Sequence, residues 1–311
     1  MWGDSAHDAT PPGRLDRLAA ASYPAPVASI SPELQRKESV LRERLGASGR
    51  LLVAFSGGVD SSYLAYAAHA ALGERALAVT ALSPSYPAHH REAAERVVAE
   101  FGIPHRFVET DEMASADYRA NRPDRCYHCK SELFRVMGEL REQLGFASVA
   151  YGVNTDDTGD FRPGHRAAAE RGVLSPFLDA GLSKRDIREL SRAAGLPTAD
   201  LPASACLSSR LPYGTEVTPE RLRQVEQGEA ALRELGFRQV RLRHHGDVAR
   251  VEVDPAELPL ALDPQMAARI SAAIKPLGFR WVALDLEGYR TGSLNAVLSI
   301  RSEPSRSVTG R

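Results

Sequence analysis

The amino-acid sequence predicts an α/β protein: a doubly wound parallel sheet followed by a smaller α+β unit. Three observations predict it. Between about Leu51 and Leu196, short apolar runs alternate with longer amphipathic stretches, the mark of parallel βαβ units. Residues 200–218, with Pro202 and Pro212 inside them, then break that rhythm. Beyond them the pattern changes to one long amphipathic helix and short paired strands. The 311 residues suffice for two such units, and 43% hydrophobic against 25% charged residues is the balance of a chain that buries a proper core.

Residues 51–55 are a continuous apolar run ending at a serine and a glycine pair, which suits a strand buried on both faces. Residues 61–72, rich in alanine, read as a helix. Strands are predicted at 76–82 and 105–109, with a helix at 92–101 closed by Gly102-Ile103-Pro104. A loop, a helix at 131–144 and a strand at 148–152 follow, then a helix at 184–194 closed by Gly195 and Pro197. In the second unit a helix at 219–235 precedes paired strands at 240–242 and 248–253, turning at His244-His245-Gly246-Asp247. A helix at 264–277 and a strand at 281–286 complete it. The expected division is a poorly ordered extension at 1–32, units at 33–200 and 201–301, and a disordered tail at 302–311.

Charge and cysteine usage narrow the function classes. Lys plus Arg number 39 against 40 Asp plus Glu, a net charge of −1, so nucleic acid is not an expected partner. No stretch is apolar for long enough to span a bilayer, and the N-terminus lacks a signal peptide's apolar core. Three cysteines in a chain too large to need disulfides suit a reducing cytoplasm.

The segment Ser56-Gly57-Gly58-Val59-Asp60-Ser61-Ser62 follows a buried strand and opens a helix. Two glycines let the backbone turn tightly and present its N–H groups, and the helix N-terminus adds partial positive charge. Ser56 and Ser61 offer hydroxyls to the same phosphate oxygens. No Walker lysine is present. Asp60 instead suits a Mg²⁺ ion on a pyrophosphate, since that ion takes hard oxygen ligands. The plain alternative is a glycine turn between strand and helix; the strand-motif-helix context favours the phosphate cradle.

Cys126-Tyr127-His128-Cys129 is a C-x-x-C turn, and Cys206 lies in Ala205-Cys206-Leu207-Ser208-Ser209-Arg210. That spacing lets two thiolates reach one metal or cluster corner, with the third cysteine completing a three-point holder. Zinc with His128 or water as fourth ligand is one alternative, and three unrelated buried cysteines another. A redox C-x-x-C is disfavoured on the reading that the motif does not open a helix. Arg241 and Arg243, two apart on a strand, share one face, and their planar forks suit a phosphate or carboxylate, as does Arg210. A solvated strand face is the alternative.

Ser56–Ser61 resembles the SGGxDS motif of PP-loop ATP pyrophosphatases, and Gly152-Val153-Asn154-Thr155-Asp156-Asp157 resembles a second element of that superfamily. The likeness narrows at Asn121-Arg122-Pro123-Asp124-Arg125-Cys126-Tyr127-His128-Cys129-Lys130, at Gly195-Leu196-Pro197-Thr198, at Ala205–Gly214 and at Asp285–Asn295, which are similar to blocks of LarE-type sulfur transferases. It extends over about residues 38–300. The resemblance implies an adenine-nucleotide α-hydrolase-like fold. It implies ATP cleaved between its α- and β-phosphates, an acyl-adenylate, and sulfur inserted into the carboxylates of a pyridinium mononucleotide for a nickel-pincer cofactor.

Two chemistries occur in that family. Members with one cysteine surrender its sulfur, whereas members with three are thought to hold a [4Fe–4S] cluster that ferries added sulfide. The three-cysteine pattern here favours the cluster, with Cys126, Cys129 and Cys206 as ligands; Cys206 as sacrificial donor is the runner-up. The resemblance also places Ser209, Arg210, Arg241 and Arg243 at a substrate phosphate or carboxylate, and Glu229 weakly at a metal with Asp60. It implies a small-molecule nucleotide substrate, a sulfide donor and a trimer-based homo-oligomer. Leu201-Pro202 departs from the family pattern, which has a basic residue before the proline. Competing readings are a tRNA-thiolating enzyme of the same superfamily and a nucleotide-binding regulator without turnover.

Overall fold

The computed structural model describes residues 30–159, 163–202 and 205–290. Nearly all of the predicted N-terminal extension, the 302–311 tail and the part of the C-terminal signature at 291–295 lie outside the described residues. Along the chain run α1 (Pro32–Ala47), β1 (Leu51–Ala54), α2 (Val59–Leu72), β2 (Ala76–Leu82), α3 (Ala88–Phe101) and β3 (His105–Glu109). A short α4 (Ala116–Arg119) leads into α5 (Arg125–Leu144) and β4 (Ser148–Tyr151), followed by α6 (Pro163–Glu170), α7 (Pro176–Asp179) and α8 (Lys184–Ala193). The remainder is α9 (Pro219–Glu234), β5 (Val240–His245), β6 (Val248–Val253), α10 (Leu258–Leu262), α11 (Pro264–Ile274) and β7 (Trp281–Leu284).

The first sheet has the order β3-β2-β1-β4 and is parallel throughout. Alternation along β1 explains why its run is continuously apolar. Leu51 and Val53 join the core beneath α1, α2 and α8, with Leu41, Leu64 and Ile187, while Leu52 joins Phe134, Met137 and Leu140 of α5 on the opposite face. The order in which strands are added reverses at β1: β2 and β3 build out on one side of it and β4 on the other. The crevice beyond the carboxyl ends of β1 and β4 is therefore the topological switch point, where such sheets bind ligands.

The second sheet has the order β5-β6-β7, with β5 and β6 antiparallel and β6 and β7 parallel. Leu222, Val225 and Leu232 of α9 and Ile270 and Ile274 of α11 pack on Val240, Leu242 and Val251. No described helix is long and apolar enough to cross a membrane.

Three local expectations change. The helix α1 was not anticipated; its buried Leu34, Leu41 and Leu45 are too sparse to announce an amphipathic face. β5 continues through His245, so His244 and His245 pair with Ala249 and Val248, and the reversal falls on Gly246-Asp247. Most consequentially, α5 starts at Arg125, six residues before the predicted start. Cys126 and Cys129 therefore do open a helix, which removes the ground on which redox chemistry was disfavoured. Asp124 caps that helix without a side-chain hydrogen bond, so the usual start signal is missing.

Candidate active site

At the switch point, Gly58 precedes the first turn of α2 and Gly57 adopts φ +73°. A Cβ on Gly57 would lie 2.5 Å from the His90 carbonyl oxygen, so only glycine lets the loop run this close to α3. Ser61 Oγ accepts from the Ser56 amide at 3.1 Å and lies 3.1 Å from Ser56 Oγ, drawing the loop into a ring. A helix N-terminus leaves amides without intrahelical partners, which suits an anion at the start of α2. Gly152, at the end of β4, packs so tightly that a Cβ would sit 3.1 Å from the Asp60 backbone. Both PP-loop elements thus meet.

Asp60 carries one committed oxygen and one open one. Its Oδ2 pairs with Lys184 Nζ at 2.6 Å, while Oδ1 is buried without a partner, as is Ser62 Oγ. Burial holds the Asp60 carboxyl above its ordinary pKa, against the opposing pull of Lys184. Lys184 was missed. The run Ser183-Lys184-Arg185-Asp186 forms a capping box, and that pattern marks a helix start in the sequence. Nothing in it says that Lys184 meets a carboxylate 124 residues away.

The three cysteines lie on two segments held against each other. Cys126 is exposed and Cys129 half-buried in the first turn of α5; Cys206 is half-buried just before a 3₁₀ turn, Leu207–Arg210. Although Cys126 is exposed as a residue, its sulfur is desolvated, which with the Cys206 charge raises the thiol; Cys129 is raised by burial, Glu112 and Cys206. Lys130 pulls both the other way, and Arg125 does so for Cys126. Among the described residues no three Cys, His, Asp or Glu side chains lie close enough to share one metal ion, so as placed they form no single-ion zinc site.

Residues outside the expected set bind the two cysteine segments together. Asn121, at φ 50°, donates from Nδ2 to the carbonyls of Leu211, Pro212 and Thr215 at 3.3, 2.8 and 2.9 Å. Arg125 donates to the Ser208 carbonyl at 2.7 Å and to Asn121 Oδ1, and the Tyr118 hydroxyl lies 2.6 Å from Ser208 Oγ. The Leu207 amide donates to the Ser85 carbonyl at 2.9 Å, and Tyr86 next to it donates to the Ser56 carbonyl. Two hydrogen bonds thus connect the cysteine loop to the phosphate loop.

Arg210 and Arg243 are engaged by carboxylates within the chain. Arg210 is wholly buried. It grips Glu229 through Nε and Nη2 at 2.7 and 3.0 Å, and its Nη1 donates to the Ala205 and Cys206 carbonyls and to Ser209 Oγ. Ser209 Oγ in turn donates to the Cys206 carbonyl at 2.8 Å. Glu229 also accepts from Arg233 and from the Leu242 amide. Arg210 and Glu229 saturate each other here, and together they pin the Cys206 loop. Arg243 likewise grips Glu252 with two nitrogens and donates to the Ser209 carbonyl at 2.9 Å. Arg241 lies 5.0 Å over the Tyr289 ring, and burial with the nearby Arg210 charge lowers it to about 10. His89 and His90, also unanticipated, feel the same arginines: burial first, then those charges, lower them to about 3 and about 4.

A glycine phosphate loop at the switch point of a parallel sheet, together with the similarities that follow, marks an ATP-dependent sulfur transferase of the PP-loop class. Residues 37–136 match the asparagine synthase family. The chain is 34% identical over 267 residues to pyridinium-3,5-bisthiocarboxylic acid mononucleotide synthase of Lactiplantibacillus plantarum, covering 86% of this chain and 96% of that one. It is 44% identical over 266 residues to an uncharacterised protein of Synechocystis, covering 86% of this chain and 99% of the relative. A tRNA-specific 2-thiouridylase of Xanthobacter autotrophicus is 33% identical over 196 residues, about half of each chain. The protein belongs to the LarE family.

Proposed function

We propose that the protein uses ATP to convert carboxylates of pyridinium-3,5-biscarboxylic acid mononucleotide into thiocarboxylates, a step in making a nickel-pincer cofactor. The near full-length likeness to a synthase of that product supports the substrate. The observation that carries the chemistry is the hydrogen-bonded contact of the Cys126–Cys129 turn with the Cys206 loop, and of that loop with the Ser56–Ser62 loop. On this reading residues 33–200 form the nucleotide unit and residues 201–301 the substrate and sulfur-transfer unit.

ATP lies along Ser56, Gly57, Gly58, Ser61 and Ser62, with the first-turn amides of α2 on its phosphates. A substrate carboxylate oxygen attacks the α-phosphorus, the bond to the β-phosphate oxygen breaks, and pyrophosphate leaves. Amide donors stabilise the charge that develops. A sulfur nucleophile then attacks the acyl carbon and AMP departs. Arg241 is the arginine of the cluster assigned to the substrate's anionic groups.

The partnerless buried Oδ1 of Asp60 fits a Mg²⁺ ion, which would neutralise the pyrophosphate. Three cysteines on two segments that Arg125 and Asn121 hold together fit a [4Fe–4S] cluster. Such a cluster, held by Cys126, Cys129 and Cys206, would offer one iron position for an exchangeable sulfide. Anaerobic purification with iron and acid-labile sulfide analysis tests the cluster. Mass loss of hydrogen sulfide from Cys206 after turnover would replace it with the sacrificial route. Pyrophosphate release from ATP in the presence of the pyridinium substrate tests the whole reading, and its absence ends it. Cys206→Ala should retain that release while losing thiocarboxylate.

A further inference from the structure

Glu112 is a buried carboxyl group that neither the phosphate loop nor the arginine cluster uses. It is 3% exposed and sits in a short 3₁₀ turn just after β3. Among the described residues no cationic side chain lies within ion-pair distance of it. Two hydroxyls meet it instead: Ser85 Oγ donates to Oε1 at 2.9 Å, and Thr110 Oγ1 to Oε2 at 3.0 Å. Burying a carboxyl group is costly, and two hydroxyls compensate that cost only in part. What the group holds is therefore informative.

It holds the connection from β2 to α3, residues 83–87, and that connection reaches three parts of the molecule. The Ser85 carbonyl accepts from the Leu207 amide, next to Cys206, at 2.9 Å. The Tyr86 hydroxyl donates to the carbonyl of Ser56, the first residue of the phosphate loop, at 3.1 Å. The Ala88 amide, at the start of α3, donates to Glu226 Oε1 of α9 at 2.7 Å. The turn is also closed on itself. Ser83 Oγ accepts from the Ser85 amide at 3.3 Å and lies 3.0 Å from Ser85 Oγ, while the Tyr86 amide donates to the Ser83 carbonyl at 3.0 Å.

We propose that residues 83–87 are a strut that keeps the nucleotide and the sulfur nucleophile in register, with Ser85 and Glu112 as the positioning residues that set its place. This rests on reading the Ser56–Ser62 loop as the adenylation site and the Cys206 loop as the sulfur-transfer site. Both half-reactions use one acyl carbon. When the Cys206 loop drifts from the adenylate, water attacks that carbon instead. The bond from the acyl carbon to the AMP oxygen breaks, and the carboxylate and AMP are released with no sulfur transferred. A misplacement of about 1 Å costs on the order of 10²-fold in such a transfer. ATP on the phosphate loop also tightens the Cys206 loop, through Tyr86 and Ser85, because a closed hydrogen-bonded turn transmits a shift that a slack one absorbs.

The test uses the full-length chain in two measurements. The first adds ATP and Mg²⁺ without the pyridinium substrate and follows hydrogen–deuterium exchange in the 205–210 peptide, which contains the Leu207 amide. ATP should slow exchange there roughly five-fold in the wild type, the worth of one hydrogen bond. Ser85→Ala should lose that response while holding ATP as well in equilibrium dialysis. Glu112→Gln, which keeps an acceptor for the Ser85 hydroxyl, should retain most of it. The second measurement counts pyrophosphate and thiocarboxylate in one turnover, with sodium sulfide as donor. Ser85→Ala should lower thiocarboxylate per pyrophosphate by about ten-fold or more, whereas a general loss of folded protein lowers both together. Tyr86→Phe leaves the buried Ser85 turn in place and should lower the same ratio. A wild-type chain that holds ATP with no change in the 205–210 peptide overturns the strut without any variant having to fold. So does an unchanged ratio in a folded Ser85→Ala or Tyr86→Phe chain. An exchange response that Ser85→Ala abolishes, with no pyrophosphate released by the wild type, leaves the strut standing and sinks the adenylation reading. A chain that holds no ATP overturns both, so the two failures are distinguishable.

Discussion

The phosphate loop and the arginine cluster both gather polar groups around the site, yet they do so in opposite ways. In the loop, Asp60 Oδ1 and Ser62 Oγ are buried and have no partner. In the cluster, Arg210 and Glu229, and Arg243 and Glu252, are closed on each other. A group left open and desolvated is destabilising until a ligand meets it, whereas a closed buried pair holds a neighbouring segment in place. The difference teaches that motif resemblance locates both regions, while hydrogen-bond closure distinguishes polar groups left open from polar groups already spent on holding a neighbouring segment.

The largest effect should come from opening a closed pair. Glu229→Ala strands Arg210 in the core and should lower unfolding stability by about 3–5 kcal/mol in a denaturant titration. A loss below about 1 kcal/mol would mean the cluster is slack enough to serve a substrate directly. Asp60→Asn is the converse. It should slow pyrophosphate release by roughly 10²–10³-fold, the loss typical when one charge-stabilising group is removed from a transition state, with the unfolding midpoint unchanged or raised. Full turnover with reduced stability would erase the contrast between the regions.

A third effect is set by pH. Folded His89 and His90 titrate near about 3 and about 4, because burial and the arginines oppose their protonation. The unfolded chain takes up those protons near the ordinary histidine value of about 6.5, so it binds more protons than the folded one below that pH. The stability contribution is complete above about 6.5 and is lost as pH falls toward 4. Urea midpoints across that window should slope downward for the wild type and flatten in a His89→Gln, His90→Gln chain. If the slopes match, the histidines do not face the cluster.

The smallest effect lies in the capping box that presents Lys184 to Asp60. Asp186 bonds to Ser183 and pairs with Lys37 at 2.8 Å. Burial opposes its charge, but the Lys37 and Ser183 bonds outweigh it and hold the carboxyl below its ordinary value. Asp186→Asn should cost about 1 kcal/mol at neutral pH. That contribution is present above the unfolded carboxylate pKa and fades as pH falls through the folded one, so the two chains should converge in acid. A difference that persists there would assign the effect to packing.

Much of this was legible in the residue string. The strand-glycine-helix run at 51–62, the alternation up to Leu196 and the three cysteines are local or periodic, and local chemistry sets them: apolar periodicity selects the element, and glycine selects the turn. What sequence reading lacked was the partner of each charge. Arg210, Arg241 and Arg243 looked alike as anion binders, because a guanidinium carries no mark of whether a carboxylate 19 or 9 residues away will close on it. The start of α5 was misplaced for a related reason: contacts from Arg125 to Ser208, 83 residues on, anchor its first turn where no side-chain cap does.

The amino-acid order alone thus determined the class of sheet, the position of the phosphate loop and the identity of the sulfur-bearing residues, since these follow from nearest-neighbour geometry and side-chain chemistry. Tertiary packing alone decided that Lys184 faces Asp60, that Glu229 is filled by arginines, and that Arg125 reaches the Ser208 carbonyl. Pairing of buried charge depends on which distant segments fold together, and that information is not carried by any one stretch of chain.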